Sequence, residues 1–192
     1  MKYLEDIIIK QGKILPGDIL KVDSFLNHQI NVKVLNEIGK EFGEHFKNSG
    51  ANKILTIESS GIAVAQSLAI NMNIENIVYA KKGNPSNISN DCYEALEKSY
   101  TKGKEYSVKV SKEYLNSNDK VIIVDDFLAK GEAMMALLNI CNQACAEVKG
   151  IGIVIGKMYQ GGYERIKDKC DNIQILAKVK SMSDDGKIEF ED

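Results

Sequence analysis

The stretch VIIVDDFLAKGEA, Val121 to Ala133, sets four apolar residues against two adjacent carboxylates, Asp125 and Asp126, with a glycine close behind. Val121 to Val124 is apolar on both faces, as a central strand of a parallel sheet is. Gly131 leads into AMMALLNICNQA, which reads as a helix. Two carboxylates at the end of a buried strand pose an electrostatic problem. Neighbouring acids repel, and one is driven to keep its proton unless cations or hydroxyl donors compensate. A sugar diol supplies two adjacent O–H donors, and a magnesium-bound substrate supplies positive charge. The glycine and helix start add backbone N–H groups and a positive dipole end, which suit a phosphate. One short segment can therefore hold a ribose by its hydroxyls and its 5′-phosphate together. The same pair is also compatible with a helix N-cap or a solvated turn. A Walker-type magnesium site finds no support, because the chain has no GxxxxGK[ST].

Outward from this segment, strand and helix patterns alternate. Lys53 to Ile57 (KILTI) reads as a buried strand, followed by Glu58-Ser59-Ser60-Gly61 and the helix IAVAQSLAINM. Asn76 to Ala80, Gly150 to Lys157 and Ile173 to Val179 read as further strands, with a short helix GYERIKDK between the last two. Val34 to Phe46 places Val34, Leu35, Ile38, Phe42 and Phe46 on one helical face. Ile14 to Ile30 alternates roughly around a Pro16-Gly17 turn, so strands are expected there. The polar run Lys81 to Lys104 predicts a long flexible loop, with Ser99 and Tyr100 at its tip, and Glu105 to Val110 predicts an exposed strand. The alternation predicts an α/β fold with a mainly parallel, twisted sheet flanked by helices. In such sheets ligands collect beyond the carboxyl ends of the strands. Three of those ends carry Glu58 to Gly61, Lys81-Lys82-Gly83, and Asp125-Asp126.

Composition narrows the function classes. The 192 residues carry a formal net charge of −2 with 44% apolar content, which fits one domain and gives no general attraction to nucleic acid or anionic membrane. No apolar run reaches the ~20 residues of a membrane span. The N-terminal MKYLEDIIIKQG is interrupted by acids and lacks a small-residue cleavage site, so it reads as a surface helix and not a signal peptide. Cys92, Cys141, Cys145 and Cys170 form no CxxC pair, and His28 and His45 are the only histidines. Reduced cysteines in a soluble cytoplasmic protein, without a zinc site, follow as the expectation. His28 and His45 read as surface or hydrogen-bonding groups, and Phe127 as packing on a bound base or on the core beneath its loop.

The whole of VIIVDDFLAKGEA resembles the phosphoribosyl-pyrophosphate (PRPP) motif of the type I phosphoribosyltransferase family. LKVDSFLNHQI (Leu20 to Ile30), IESSGIA (Ile57 to Ala63) and IGIVIGKMYQGG (Ile151 to Gly162) narrow the likeness to its bacterial xanthine-specific members, along nearly the full length. The resemblance implies a single domain, 1–192, with a small hood built from residues 1–30 and a flexible active-site loop at 81–104. It also implies purine salvage in the cytoplasm: xanthine and PRPP give xanthosine monophosphate (XMP) and pyrophosphate. Mg²⁺ would be carried by PRPP, with no permanent protein metal cage, and the protein would be a homodimer.

Carried over residue by residue, the resemblance implies that Asp125 and Asp126 hold the ribose 2′- and 3′-hydroxyls. Ala129, Lys130, Gly131, Glu132 and Ala133 would wrap the 5′-phosphate, largely through backbone amides. Glu58, Ser59, Ser60 and Gly61 would form the pyrophosphate loop, with Lys81 and Lys82 adding charge. Lys157 would donate to the purine 6-oxo group. Leu20 and Asn27 would line the base pocket, Asn27 reading the 2-oxo group that separates xanthine from hypoxanthine. The phosphate loop departs from the Thr-Gly-Gly-Thr of many members: Ala-Lys-Gly-Glu-Ala offers no hydroxyls, so affinity must come from amides, the helix dipole and Lys130.

Two rival functions remain. A transferase for adenine needs an acceptor for the 6-amino group, which a lysine lacks. Hypoxanthine leaves the Asn27 reader unpaired, at about 1–3 kcal/mol. A PRPP-sensing regulator of transcription needs a DNA-binding module or a basic face, and this chain has neither before its first main helix.

Overall fold

The computed structural model describes residues 1–83, 91–99, 104–183 and 185–191. Eight strands form one sheet. Its centre runs β9 (Ile173–Met182), β8 (Glu147–Lys157), β7 (Lys120–Leu128), β3 (Lys53–Ile57) and β4 (Ile77–Lys82), all parallel. Antiparallel strands close both flanks. β10 (Ile188–Phe190) pairs with β9, while β6 (Lys104–Ser111) pairs with β4 and, on its other edge, with β5 (Cys92–Ser99).

The period-2 geometry of β7 explains how the sheet acquires two cores. Ile122 and Val124 face α2 (Val32–Phe46) and α3 (Gly61–Met72), joining Phe42, Phe46, Val64 and Leu68. Val121 and Ile123 face the other layer, joining Leu137 and Ile140 of α4 (Glu132–Gln143) and Ile166 of α5 (Gly162–Ile166). Each fully buried side chain of this size contributes about 1.5–3 kcal/mol. The centre of β7, with every residue from Val121 to Val124 fully buried, is thus firmly held from both sides. α2 is started by Asn31, whose side chain accepts from the amides of Lys33 (3.1 Å) and Val34 (3.3 Å).

The N-terminal segment folds onto one end of this frame. α1 (Lys2–Gln11) is more than a surface helix: Leu4, Ile7 and Ile8 are buried in the first core. β1 (Lys13–Leu15) and β2 (Ile19–Lys21) make a separate hairpin, and Asp23–Asn27 follows as a π-helical turn rather than a strand.

The polar run expected as one long loop is partly a hairpin: β5 and β6 pair from Cys92↔Ser111 to Ser99↔Lys104. Residues 84–90 and 100–103, including the expected tip residue Tyr100, lie outside the described residues. β6 is not an exposed strand either, since Val108 and Val110 are buried in the second core. Among the described residues no helix is long and apolar enough to cross a membrane.

Candidate active site

Strand order fixes where a site can form. From β3 the chain moves outward to β4 on one side, whereas β7, β8 and β9 build out on the other. The switch point therefore lies between β3 and β7, where a crevice opens beyond the strand ends. β3 is paired to β7 only as far as Leu55↔Ile123, while β7 continues beside β8 to Leu128↔Gly156. Asp125 and Asp126 thus lie within β7, not after it, on a rail whose β3 side has fallen away.

Asp125 is 6% exposed, and its Oδ1 accepts from the Asp126 amide at 2.9 Å. Burial first, and then the Asp126 carboxylate, pushes the Asp125 carboxyl well above the usual carboxylate range; Lys82 pulls the other way. The repulsion that the sequence implies is thus present, second to burial. The adjoining hard oxygens also suit sharing a magnesium ion that a polyphosphate brings with it.

The loop after β3 forms one wall. Glu58 Oε1 accepts from the Lys82 amide at 2.8 Å, tying that loop to the end of β4, and the Glu58–Ser59 peptide is cis. Gly61 opens α3 where no larger residue fits: a Cβ there would lie 2.2 Å from Thr56 Oγ1 and 3.2 Å from Asp125 Oδ1. Thr56 is itself buried, and its hydroxyl has no hydrogen-bond partner among the described residues. It was missed from sequence, where the only signal is one hydroxyl inside the apolar run KILTI. Of the lysine pair, Lys82 acts electrostatically on Asp125. Lys81 points to the other side of β4, over Tyr79, and lines a separate cleft of about 770 Å³ with Lys53, Lys109 and Tyr114. The structure does not bring Lys81 to the acid pair.

The loop after β7 forms the second wall, and it is held by backbone. Gly131 has φ +79 and caps α4, a twelve-residue helix that starts six residues after Asp126 with its N-terminal amides at the end of this loop. The Gly162 amide donates to Ala129 O at 3.0 Å, so the start of α5 clamps the turn. Glu132, an acid within the loop assigned to a phosphate, is neutralised. Arg165 reaches its two carboxylate oxygens at 2.5 and 3.4 Å and also donates to Lys130 O at 2.7 Å. Arg165 escaped the sequence reading, although it is the only arginine in the chain. Ala129 and Ala133 are half-buried and Lys130 is exposed.

The third part comes from β8 and the N-terminal hairpin. Lys157, at the end of β8, is only 8% exposed, and burial lowers its pKa while Asp18 opposes the shift. Its Nζ donates to the Asp18 carbonyl at 2.5 Å. Asn27 donates from its side chain to Asp126 Oδ2 at 2.7 Å, which brings the hairpin's far end to the acid pair. Leu20 is buried in the first core and also lines a groove of about 720 Å³ with Ile8, Ile14 and Ile188; neither Asn27 nor Lys157 borders that groove. Phe127 packs against the first core. His45 is a hydrogen-bonding group, paired with Asn172 Oδ1 at 2.8 Å, and all four cysteines are free.

Comparison with known proteins places this geometry among relatives of the same length. The chain is 49% identical to a xanthine phosphoribosyltransferase of Clostridium novyi over 190 residues, covering 99% of each chain. It is 47% identical to that of Clostridioides difficile, with 99% of this chain and all of the relative covered. For that of Pediococcus pentosaceus the identity is 45% over 191 residues and both chains are covered completely. Among solved structures, the adenine phosphoribosyltransferase of Giardia lamblia complexed with 9-deazaadenine superposes with a TM-score of 0.75 at 22% identity, covering 90% of this chain and 96% of the other. The Trypanosoma brucei enzyme gives 0.74 at 19% identity, covering 90% and 78%. At such identities the structures speak for the fold alone. No family model matches the chain.

Proposed function

This chain belongs to the xanthine phosphoribosyltransferase family, and from that premise we propose how its crevice moves the 5-phosphoribosyl group of PRPP onto N9 of xanthine, giving XMP and pyrophosphate in purine salvage. The observation that carries the reading is the acid pair, buried Asp125 beside half-buried Asp126, between two loops at the switch point of the sheet. The ribose hydroxyls donate to Asp125 and Asp126, which offsets the burial and then the Asp126 charge that hold the Asp125 carboxyl high. The 5′-phosphate rests at the start of α4, on the amides of 129–133, with the Glu132 charge cancelled by Arg165. The pyrophosphate lies along Glu58 to Gly61, with Lys82 beside it.

No side-chain nucleophile is required. The C1–O bond to pyrophosphate breaks as N9 approaches C1 through an oxocarbenium-like transition state. The protein's part is positioning and electrostatics. Growing positive charge on the ring faces the two aspartates, and the departing negative charge faces Lys82 and the magnesium brought by PRPP. At the base end, Lys157 donates to the 6-oxo group. Asn27 is a donor too, and its present acceptor is Asp126. Exchange of that acceptor for the 2-oxo group of xanthine frees Asp126 for the ribose as the base arrives. In this reading the N-terminal hairpin serves as the hood, with Leu20 beneath it. The protein is a cytoplasmic homodimer, for which light scattering on the purified protein is the check.

Turnover of xanthine, guanine, hypoxanthine and adenine with PRPP and Mg²⁺, measured side by side, tests the assignment. XMP formation must be fastest. Equal rates with adenine contradict the role of Lys157, and PRPP binding without turnover of any base points to a regulator instead.

A further inference from the structure

The turn between β1 and β2 makes three contacts with a single stretch of chain far away in sequence. Asp18, the last residue of Pro16-Gly17-Asp18, takes a left-handed φ of +64, which aspartate tolerates better than most residues. Its carbonyl accepts from Lys157 Nζ at 2.5 Å. Its carboxylate accepts from the Tyr159 hydroxyl through Oδ1 at 2.6 Å and from Gln160 Nε2 through Oδ2. The donors lie 139, 141 and 142 residues further along the chain. All belong to the short turn leaving β8, so one residue of the hairpin holds both the end of that strand and the ammonium it presents.

We propose that Asp18 is a positioning residue for the purine base, fixing Lys157 and the Met158–Gln160 turn so that the base meets a preformed donor. The inference rests on the reading of Lys157 as the group that faces the 6-oxo atom. An ammonium carries three N–H donors. Engaging one with the Asp18 carbonyl restricts a side chain that otherwise has four flexible bonds, and it sets the direction of the remaining two. The carboxylate acts one step further back. By fixing Tyr159 and Gln160 it prevents the residues after Lys157 from swinging away when the base enters or leaves. Burial of Lys157 disfavours its charged form, and the nearby Asp18 charge works against that loss. The Asp18 contacts end at Gln160, whereas the phosphate loop is held by the Gly162 amide and by Arg165, so PRPP binding is expected to change less than base binding.

The test is steady-state kinetics in which xanthine and PRPP are varied separately. Asp18→Gly keeps the left-handed turn and its carbonyl and removes only the carboxylate. It is expected to raise KM for xanthine about tenfold, the scale of one hydrogen bond to a charged group because the carboxylate acts on the base only through its neighbours, with KM for PRPP within twofold of the unaltered protein. Tyr159→Phe alone gives about threefold, and the double variant is no worse than Asp18→Gly, because the carboxylate that holds Tyr159 is already gone. Asp18→Asn tolerates the same turn and keeps one acceptor for Tyr159, so it recovers most of the lost affinity; with Tyr159→Phe it carries the test if Asp18→Gly does not fold. Equal rises in both KM values, additive single-variant effects, or an unchanged KM for xanthine overturn the inference. If the unaltered protein does not turn over xanthine, or Lys157→Ala leaves KM for xanthine unchanged, the functional reading falls and this inference falls with it. Normal behaviour of both beside an indifferent Asp18→Gly overturns the inference alone.

Discussion

Gly162→Ala is the sharpest probe of the phosphate loop, because the added methyl has nowhere to go. A Cβ at 162 would stand 2.4 Å from Ala129 O, 2.9 Å from the Gly131 amide nitrogen and 3.1 Å from the Ala129 carbonyl carbon. Every one of these atoms is backbone, so no flexible side chain can move aside. Ordinary contact begins near 3.4 Å, so the two segments must separate by about 1 Å. Overpacking of this kind costs about 1–3 kcal/mol. Loss of the Gly162 amide to Ala129 O bond adds about 0.5–1.5 kcal/mol. For a chain of this size the sum lowers Tm by roughly 3–18 °C. Because the displaced segment is the proposed phosphate cradle, kcat/KM for PRPP falls by about 10–100-fold as well. Gly186→Ala is the control. Gly186 has φ +89 with nothing within 4 Å of the new methyl, so that variant pays roughly 1–2 kcal/mol of backbone strain far from the loop. It should lose Tm and keep its kinetic constants. Calorimetry and steady-state kinetics on both variants decide the point. A Gly162→Ala protein that melts lower but handles PRPP normally refutes the placement of the phosphate.

Further outcomes follow from the charges around the site. Arg165→Ala leaves Glu132 unneutralised at the start of α4 and should raise KM for PRPP about 5–30-fold, with little loss of stability because the arginine is largely exposed. Adding Glu132→Gln should restore affinity, and failure of that rescue would count against the charge argument. Asp125→Asn should abolish transfer to every base while stabilising the free protein. A carboxyl raised in the folded state binds its proton more tightly there than when unfolded, so its contribution to stability is present below its ordinary value of 3.8 and is lost as pH rises toward the folded value. Urea unfolding should therefore show no advantage for the asparagine variant at the acid end and a growing one above it; parallel pH profiles would contradict the burial of an unrelieved charge. Lys157→Ala should erode discrimination among the four purines with KM for PRPP unchanged, and a proportional loss for both substrates would remove Lys157 from the base site.

The parts of the molecule legible in its sequence are those where local pattern and tertiary demand agree. Lys53 to Ile57 is β3 end to end, and the periodicity of Val34 to Phe46 found α2. Both are apolar runs whose burial leaves one solution. β7 was read too short because an aspartate argues against a strand locally, whereas pairing to β8 carries the ladder through Asp125 to Leu128. β6 is the strand that Glu105 to Val110 predicts, but β5 falls inside the stretch that reads as loop, because its polar text shows no clear period and only pairing with β6 and cover from α4 make it a strand. Within the site, the acids and glycines stand out in the sequence, since two adjacent carboxylates on an apolar strand and a glycine at a helix start need explanation. Arg165, Thr56 and Asp18 do not. Arg165 and Asp18 matter through partners far away in sequence, Glu132 and Lys157, whereas Thr56 meets Gly61 only five residues on, through a turn whose shape the apolar run does not reveal. The two lysines expected beside the pyrophosphate part company in the fold: adjacent strand residues face opposite sides, so Lys82 lies toward Asp125 while Lys81 lies over Tyr79.

The central claim is that the ribose of PRPP lies on Asp125 and Asp126 while its 5′-phosphate sits on the amides that open α4. A crystal structure with PRPP and Mg²⁺ bound tests this directly. Both ribose hydroxyls should lie within hydrogen-bond distance of the two carboxylates, with the phosphate between Ala129 and Ala133. A sugar bound elsewhere, with the acid pair still joined to Asn27 and untouched by ligand, would contradict it.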